Sequence, residues 1–135
     1  MSLDLSSLKK AVASLERAIV RARPVPADEE LRDAVIQRFE YTFELAWKML
    51  KRQLEAEMAT PSEVDHLSFR DLLREGAQRG LLSNVERWMD YREHRNITSH
   101  AYDANKARDV YREAARFHPD AQALLNELQK RNPLH

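Results

Sequence analysis

No cysteine occurs in this 135-residue chain, so a disulfide framework, thiolate chemistry and Cys-ligated zinc are all excluded. Glycine is nearly as scarce, with 2 residues, and proline stands at 5; turns are therefore few and the elements between them long. That rules out most β architectures. An excess of one charge is missing too. Lys plus Arg number 22 and so do Asp plus Glu, for a formal net charge of zero. No global basic field holds nucleic acid unspecifically, and any such binding needs a local patch. No apolar run approaches the roughly 20 residues of a bilayer span, and the mean hydropathy is −0.67. The first ten residues mix Asp4, Ser6, Ser7, Lys9 and Lys10 with isolated leucines, so no apolar signal segment is expected. The expectation is a soluble protein, not membrane-bound, in a cytoplasmic setting.

What is present is 43% hydrophobic and 33% charged residues, arranged with helical period. At this length residues 1–135 form one domain, able to bury about two thirds of the unfolded chain's surface. Leu3, Leu5, Leu8, Val12, Leu15, Ala18 and Ile19 form one stripe that stops near Arg23, where Pro24 and Pro26 remove donors. Asp28 can cap a second helix whose seam runs from Leu31 through Phe39 and Ala46 to Leu54, widened by Ile36, Phe43, Trp47 and Met58, about thirty residues or roughly 45 Å. Thr60, Pro61 and Ser62 end it, and a loop to Leu67 follows. Ser68 with Asp71 opens a short helix closed by Gly80, and Ser83 with Glu86 reads as a capping box for a helix beginning Val85, Trp88, Met89. Asp103 starts a further segment through Phe117, Pro119 breaks it and opens a last helix, and Arg131, Asn132 and Pro133 end that. The class is all-α: an up-and-down antiparallel bundle of four main helices plus short extra ones.

The stretch Tyr91 to Asp103 carries the chemistry. Continued at 3.6 residues per turn, the stripe of Val85, Trp88 and Met89 next meets Arg92, Asn96, Ser99, His100 and Asp103. An inward face thus turns polar. Burying such groups unpaired costs roughly 1 to 3 kcal/mol each, so they pair with one another, meet water in a cleft, or face another chain. Arg95 and His100 are five apart, about 140° around an ideal helix, and share a face only if the helix distorts or ends between them. Asn96, Thr98 and Ser99 favour such an irregularity. Arg is a permanent planar cation suited to phosphate, and His moves a proton near neutrality. Together they are what a metal-free phosphodiester cleavage needs. On residue chemistry alone a structural polar network or a dimer contact fits as well.

Arg95-Asn96-Ile97-Thr98-Ser99-His100-Ala101-Tyr102 matches the motif of arginine, four-residue spacer, histidine, any residue, tyrosine, and so resembles the HepT-like branch of the HEPN superfamily. Arg38 to Lys48 also resembles the second-helix signature of the nucleotidyltransferase substrate-binding proteins. The resemblance implies a HEPN-like bundle forming a homodimer whose motif helices line a shared cleft, and a minimal nucleotidyltransferase as partner. In the toxin and antitoxin version, Arg95 and His100 are the catalytic pair of an RNA-cleaving enzyme, and the partner silences it by adding AMP to Tyr102. In the other version the chain is the non-catalytic substrate-binding subunit of a two-chain nucleotidyltransferase. His100 is then assigned the proton and Arg95 the phosphate, with Asn96 orienting the site. Glu40, Glu44, Arg92 and Asp103 are candidate partner or buttress contacts; the default for Glu40, Glu44 and Lys48 is a surface row with a Glu44–Lys48 pair.

Other residues read as structural. Trp47 and Trp88 lie on apolar stripes and are expected in the core. Asp90 and His94 offer two ligands and no third at a telling spacing, so neither a metal nor another cofactor is expected. His66, His118 and His135 fall in expected loops or at the terminus and read as solvated. With only Gly76 and Gly80, the chain cannot supply the glycine-serine and paired-carboxylate motif of a nucleotidyltransferase, so any nucleotidyl transfer belongs to another polypeptide. A helical interaction protein with no RNA role is the blandest alternative.

Overall fold

A computed structural model of the chain describes residues 2–133. All regular structure among them is helical: α1 (Ser6–Ala22), α2 (Glu29–Glu57), a 3₁₀ helix (Pro61–His66), α3 (Phe69–Gln78), α4 (Val85–Asn96), a 3₁₀ turn (Thr98–His100) and α5 (Ala104–Arg131). The boundaries follow local chemistry. Asp28 accepts from the Leu31 N–H at 3.1 Å, Ser68 from Asp71 at 3.1 Å and Asp103 from Asn105 at 2.9 Å, each satisfying a donor that the first turn leaves open. Gly80 ends α3 in the left-handed region at φ +78°, which its missing Cβ permits.

Cross-helix pairs give the directions. Thr42 bonds the Ala11 carbonyl and Arg38 that of Ser14, so α1 and α2 are antiparallel. Arg87 grips Asp120 while Tyr91 reaches the Arg116 carbonyl, so α4 and α5 are antiparallel. Phe39 meets Phe117 and, further along both helices, Gln53 meets Asn132, so α2 and α5 run parallel. The result is an up-and-down bundle of α1, α2, α4 and α5, with α3 and the 3₁₀ helix packed on one side. Its centre is an aromatic cluster: the Phe117 ring lies 5.2 Å from Phe39, 6.0 Å from Phe43, 5.6 Å from Trp88 and 5.0 Å from Tyr91. Buried leucines such as Leu8, Leu15, Leu50 and Leu54 extend it, each contributing about 1.5 to 3 kcal/mol. Burial first, then its hydrogen bond to Asp120, raises the Tyr91 hydroxyl pKa well above its ordinary value, keeping it a donor.

Four sequence expectations change. Pro119 does not break the last helix; α5 runs through it, because Ala121, Leu124, Leu125 and Leu128 continue the buried face of Ala114 and Phe117. Burying three leucines outweighs the ~3 kcal/mol cost of an interior proline. His118 accordingly sits on a helix and is mostly buried, with Nε2 4.0 Å from Glu16 rather than in solvent. The cap of α4 is Asn84, which accepts from the Arg87 N–H at 3.0 Å, not Ser83; Glu86 pairs with Arg70 instead. The stretch after Thr60 is a 3₁₀ helix with Pro61 at its first position, anchored by buried Val64. His135 lies outside the described residues.

Candidate functional site

The site begins with the register of α4. Its buried residues are Trp88 and Tyr91, and the same row, at spacings of three and four, next holds Arg95 and Thr98. The core-facing row therefore does become polar, but through Arg95 and Thr98. Arg92, Asn96, Ser99 and His100, expected to face inward, are exposed instead. The stripe drawn through Val85 and Met89 was one step out of phase with the buried row; both are only half-buried.

Two carboxylates of α2 meet the polar end of that row. Arg95 Nε donates to Glu44 Oε1 at 2.6 Å, and Arg95 Nη2 lies 3.7 Å from Glu40 Oε1. The Thr98 hydroxyl lies within hydrogen-bond distance of both Glu40 Oε2 (3.2 Å) and the Arg95 carbonyl (2.8 Å). Glu44 is held in turn by Trp47, whose indole N–H donates to Oε2 at 3.2 Å. The Glu44–Lys48 pair is thus replaced by Glu44–Arg95, and Lys48 lies over the Trp47 ring, 5.9 Å from its centre. The Arg95 side chain keeps 31% of its surface exposed. One edge of the guanidinium is anchored and the remainder stays available to an anion.

The helix ends between Arg95 and His100. Ile97 bonds back to His94 and His100 to Ile97, each in the tighter 3₁₀ pattern, so the 140° separation of an ideal helix no longer applies. His100 is exposed, and its ring makes an edge contact with Tyr102, centres 6.1 Å apart. Tyr102 is 85% exposed. Among the described residues no hydrogen bond or ion pair joins Arg95 to His100, so within one chain the two flank the same turn without touching. Asp103 caps α5 through Asn105 and Lys106.

Beside Arg95 lies a groove of about 400 Å³, walled by Phe43, Glu44, Trp47, Phe69, Arg92 and Asn96. Trp88 is in the core, but Trp47 is half-buried and lines this groove, its indole N–H on Glu44 and its ring 6.0 Å from that of Phe69. Arg92 stacks on Phe69 with its guanidinium carbon 4.6 Å from the ring centre. His94 Nδ1 donates to the Asp90 carbonyl at 2.8 Å. Among the described residues no three His, Cys, Asp or Glu side chains are grouped to hold a metal ion, and no helix is long and apolar enough to cross a membrane. Trp47 and Thr98 are the site residues that sequence reasoning passed over.

Chemically, the surface offers an anchored cation for a phosphate, an exposed imidazole for proton transfer and an exposed phenol, all within one eight-residue stretch. Comparison with known proteins agrees in extent with the whole bundle. The profile of a family described as nucleotidyltransferase substrate binding protein like matches residues 3–130. A Haemophilus influenzae protein named probable ribonuclease HepT is 36% identical over 138 residues, covering 96% of this chain and 94% of that protein. A solved structure from Haemophilus influenzae, described as revealing the fold of a substrate binding domain of a nucleotidyltransferase, superposes with a TM-score of 0.88 at 35% identity, covering 93% of this chain and 99% of that one. A Thermus thermophilus crystal structure superposes with a TM-score of 0.73 at 29% identity, covering 90% and 98%.

Proposed function

The chain belongs to the nucleotidyltransferase substrate-binding-like family, and from that premise we propose that it is the HepT-like, HEPN-type partner of a minimal nucleotidyltransferase and the RNA-cleaving toxin of a toxin and antitoxin pair. The observation that carries the reading is the turn itself: Arg95 fixed by Glu44, and His100 and Tyr102 exposed a few residues on. Because Arg95 and His100 do not meet within one chain, the working site is composite, completed where two copies of the turn face each other in a homodimer. His100 takes the proton of a ribose 2′-hydroxyl as that oxygen attacks phosphorus, the bond to the 5′ oxygen breaks, and the leaving oxygen takes up a proton. Arg95 stabilises the charge growing on the phosphoryl oxygens, in place of a metal, with Asn96 orienting the phosphate. Addition of AMP to Tyr102 by the partner places bulk and negative charge beside His100 and shuts the site.

The test is RNA cleavage by the purified protein in excess chelator, beside Arg95→Ala and His100→Ala. The reading expects cleavage by the parent alone, leaving 5′-hydroxyl and 2′,3′-cyclic phosphate ends. Equal cleavage by all three, or by none, removes it. The second reading, a non-catalytic subunit presenting substrate to the nucleotidyltransferase, draws support from the description of the Haemophilus influenzae structure; it expects no cleavage, and nucleotidyl transfer that needs this chain. An intact mass unchanged after co-expression with an active nucleotidyltransferase counts against the role of Tyr102.

A further inference from the structure

A chain with zero net charge needs a local basic patch to hold RNA, and one exists on the face of α2 next to the carboxylates that hold Arg95. A groove of about 470 Å³ runs between α1 and α2, with Lys10 and Arg17 on one wall and Tyr41 and Leu45 on the other. Lys10 and Arg17 are seven residues apart, two turns or about 10.5 Å along α1, and both are exposed. Midway lies Ser14. Its carbonyl accepts from Arg38 Nη1 at 2.9 Å and its hydroxyl meets the Tyr41 hydroxyl at 2.9 Å, so an aromatic ring is fixed in the groove wall and a third cation is held against Ser14, outside the lining itself. None of its lining residues is acidic. Among the described residues Lys10, Arg17 and Arg38 form no ion pair, whereas Arg79, Arg87, Arg95 and Arg131 all do.

We infer that this α1–α2 groove is a track for the backbone of single-stranded RNA, with Lys10 and Arg17 on phosphates, Arg38 adding positive charge beside them, and a base stacked on Tyr41. The inference rests on the reading that the substrate is RNA, and deepens it by assigning where the strand lies outside the cleavage site. The pattern is that of unspecific single-strand binders, which combine a row of cations with a stacking ring. A protein partner favours an apolar anchor at the centre of its patch, and here the centre is Ser14 and the Tyr41 hydroxyl. The groove neighbours the site. Tyr41 and Leu45 each follow Glu40 and Glu44 by one residue, about 100° around α2, so the groove and the Arg95 site lie on neighbouring faces of the same helix.

The experiment is fluorescence anisotropy with a labelled 12-nucleotide single strand of 2′-O-methyl RNA, which lacks the attacking hydroxyl and cannot be cleaved. The parent protein is compared with Lys10→Glu/Arg17→Glu, with Tyr41→Ala, and with Arg74→Glu/Lys130→Glu, which makes the same charge change outside the groove; circular dichroism checks that each is folded. The expected result is at least a tenfold loss for the groove pair, with the slope of log K against log salt reduced by about 1.4 for two lost single-strand contacts. Tyr41→Ala is expected to lose at least about fivefold, and the control pair less than twofold. Equal binding by the groove pair and the control pair overturns the inference, as does a groove pair that keeps RNA affinity but no longer binds the nucleotidyltransferase. Cleavage assays separate the two readings. Groove variants that cleave with unchanged KM sink the track and leave the ribonuclease standing, whereas groove-dependent binding without any cleavage sinks the ribonuclease and leaves the track.

Discussion

Removing Glu44 should loosen Arg95 by an amount that can be worked out beforehand. Their contact is 2.6 Å, and the two side chains retain 31% and 29% of their surface. Two unit charges 4 Å apart at an effective dielectric of 20 attract by about 4 kcal/mol, but solvent screening brings fully exposed pairs down to about 0.2 to 1 kcal/mol. A half-buried, charge-assisted hydrogen bond belongs between these limits, at about 1 to 1.5 kcal/mol. Glu44→Ala also loses the Trp47 bond at 3.2 Å, so the single mutant overstates the pair and a double-mutant cycle is required. Denaturant unfolding of the parent, Glu44→Ala, Arg95→Ala and the double variant should give a coupling of about 1 kcal/mol, equivalent to roughly 3 to 5 °C in Tm at this size. A coupling below about 0.3 kcal/mol would refute the idea that Glu44 anchors Arg95.

Two further outcomes follow from the packing. Pro119→Ala should stabilise the protein by about 2 kcal/mol, the ~3 kcal/mol cost of an interior proline less about 1 for the freer unfolded chain; a lower Tm would mean that α5 depends on the proline. Burial alone would raise the Glu57 pKa, but hydrogen bonds from Gln53 and Arg131 and the charges of Arg131 and Arg79 outweigh it and hold it below the ordinary 4.5. A depressed folded pKa means that the unfolded chain binds the proton more readily, so the stability Glu57 supplies is complete above pH 4.5 and disappears as pH falls through the folded value. Unfolding from pH 7 to 3 should show Glu57→Gln less stable at neutrality and less sensitive to acid; parallel curves for the two proteins would contradict the network.

The parts of the fold legible in the sequence are those set by local chemistry. Asp28, Ser68 and Asp103 cap helices and Gly80 ends one because a single side chain, or its lack, settles each position. Pro119 does not follow the local rule because its cost of ~3 kcal/mol is outweighed by leucines packed on other helices, a tertiary effect that the segment alone does not carry. The phase error in α4 has a similar origin. Val85 and Met89 are apolar but sit at the rim, and only the partner helices reveal that the buried row is Trp88, Tyr91, Arg95, Thr98. At the site, the composition of the turn was readable, while the pairing of Arg95 with Glu44 spans 51 residues and needed the bundle to bring α2 against α4. Hydrophobicity alone puts Trp47 in the core, whereas the bond from its indole N–H to Glu44 gives it a place at the groove.

The central claim is that the turn after α4 supplies Arg95 and His100 to a site completed by a second copy. Arg95→Ala and His100→Ala proteins, each inactive alone, can be unfolded together, refolded as a mixture and assayed for RNA cleavage. Statistical pairing makes half of the dimers mixed, each with one complete site, so the mixture should recover about a quarter of the parent rate. A mixture as inert as either variant, beside a parent that cleaves, would contradict a site shared between subunits.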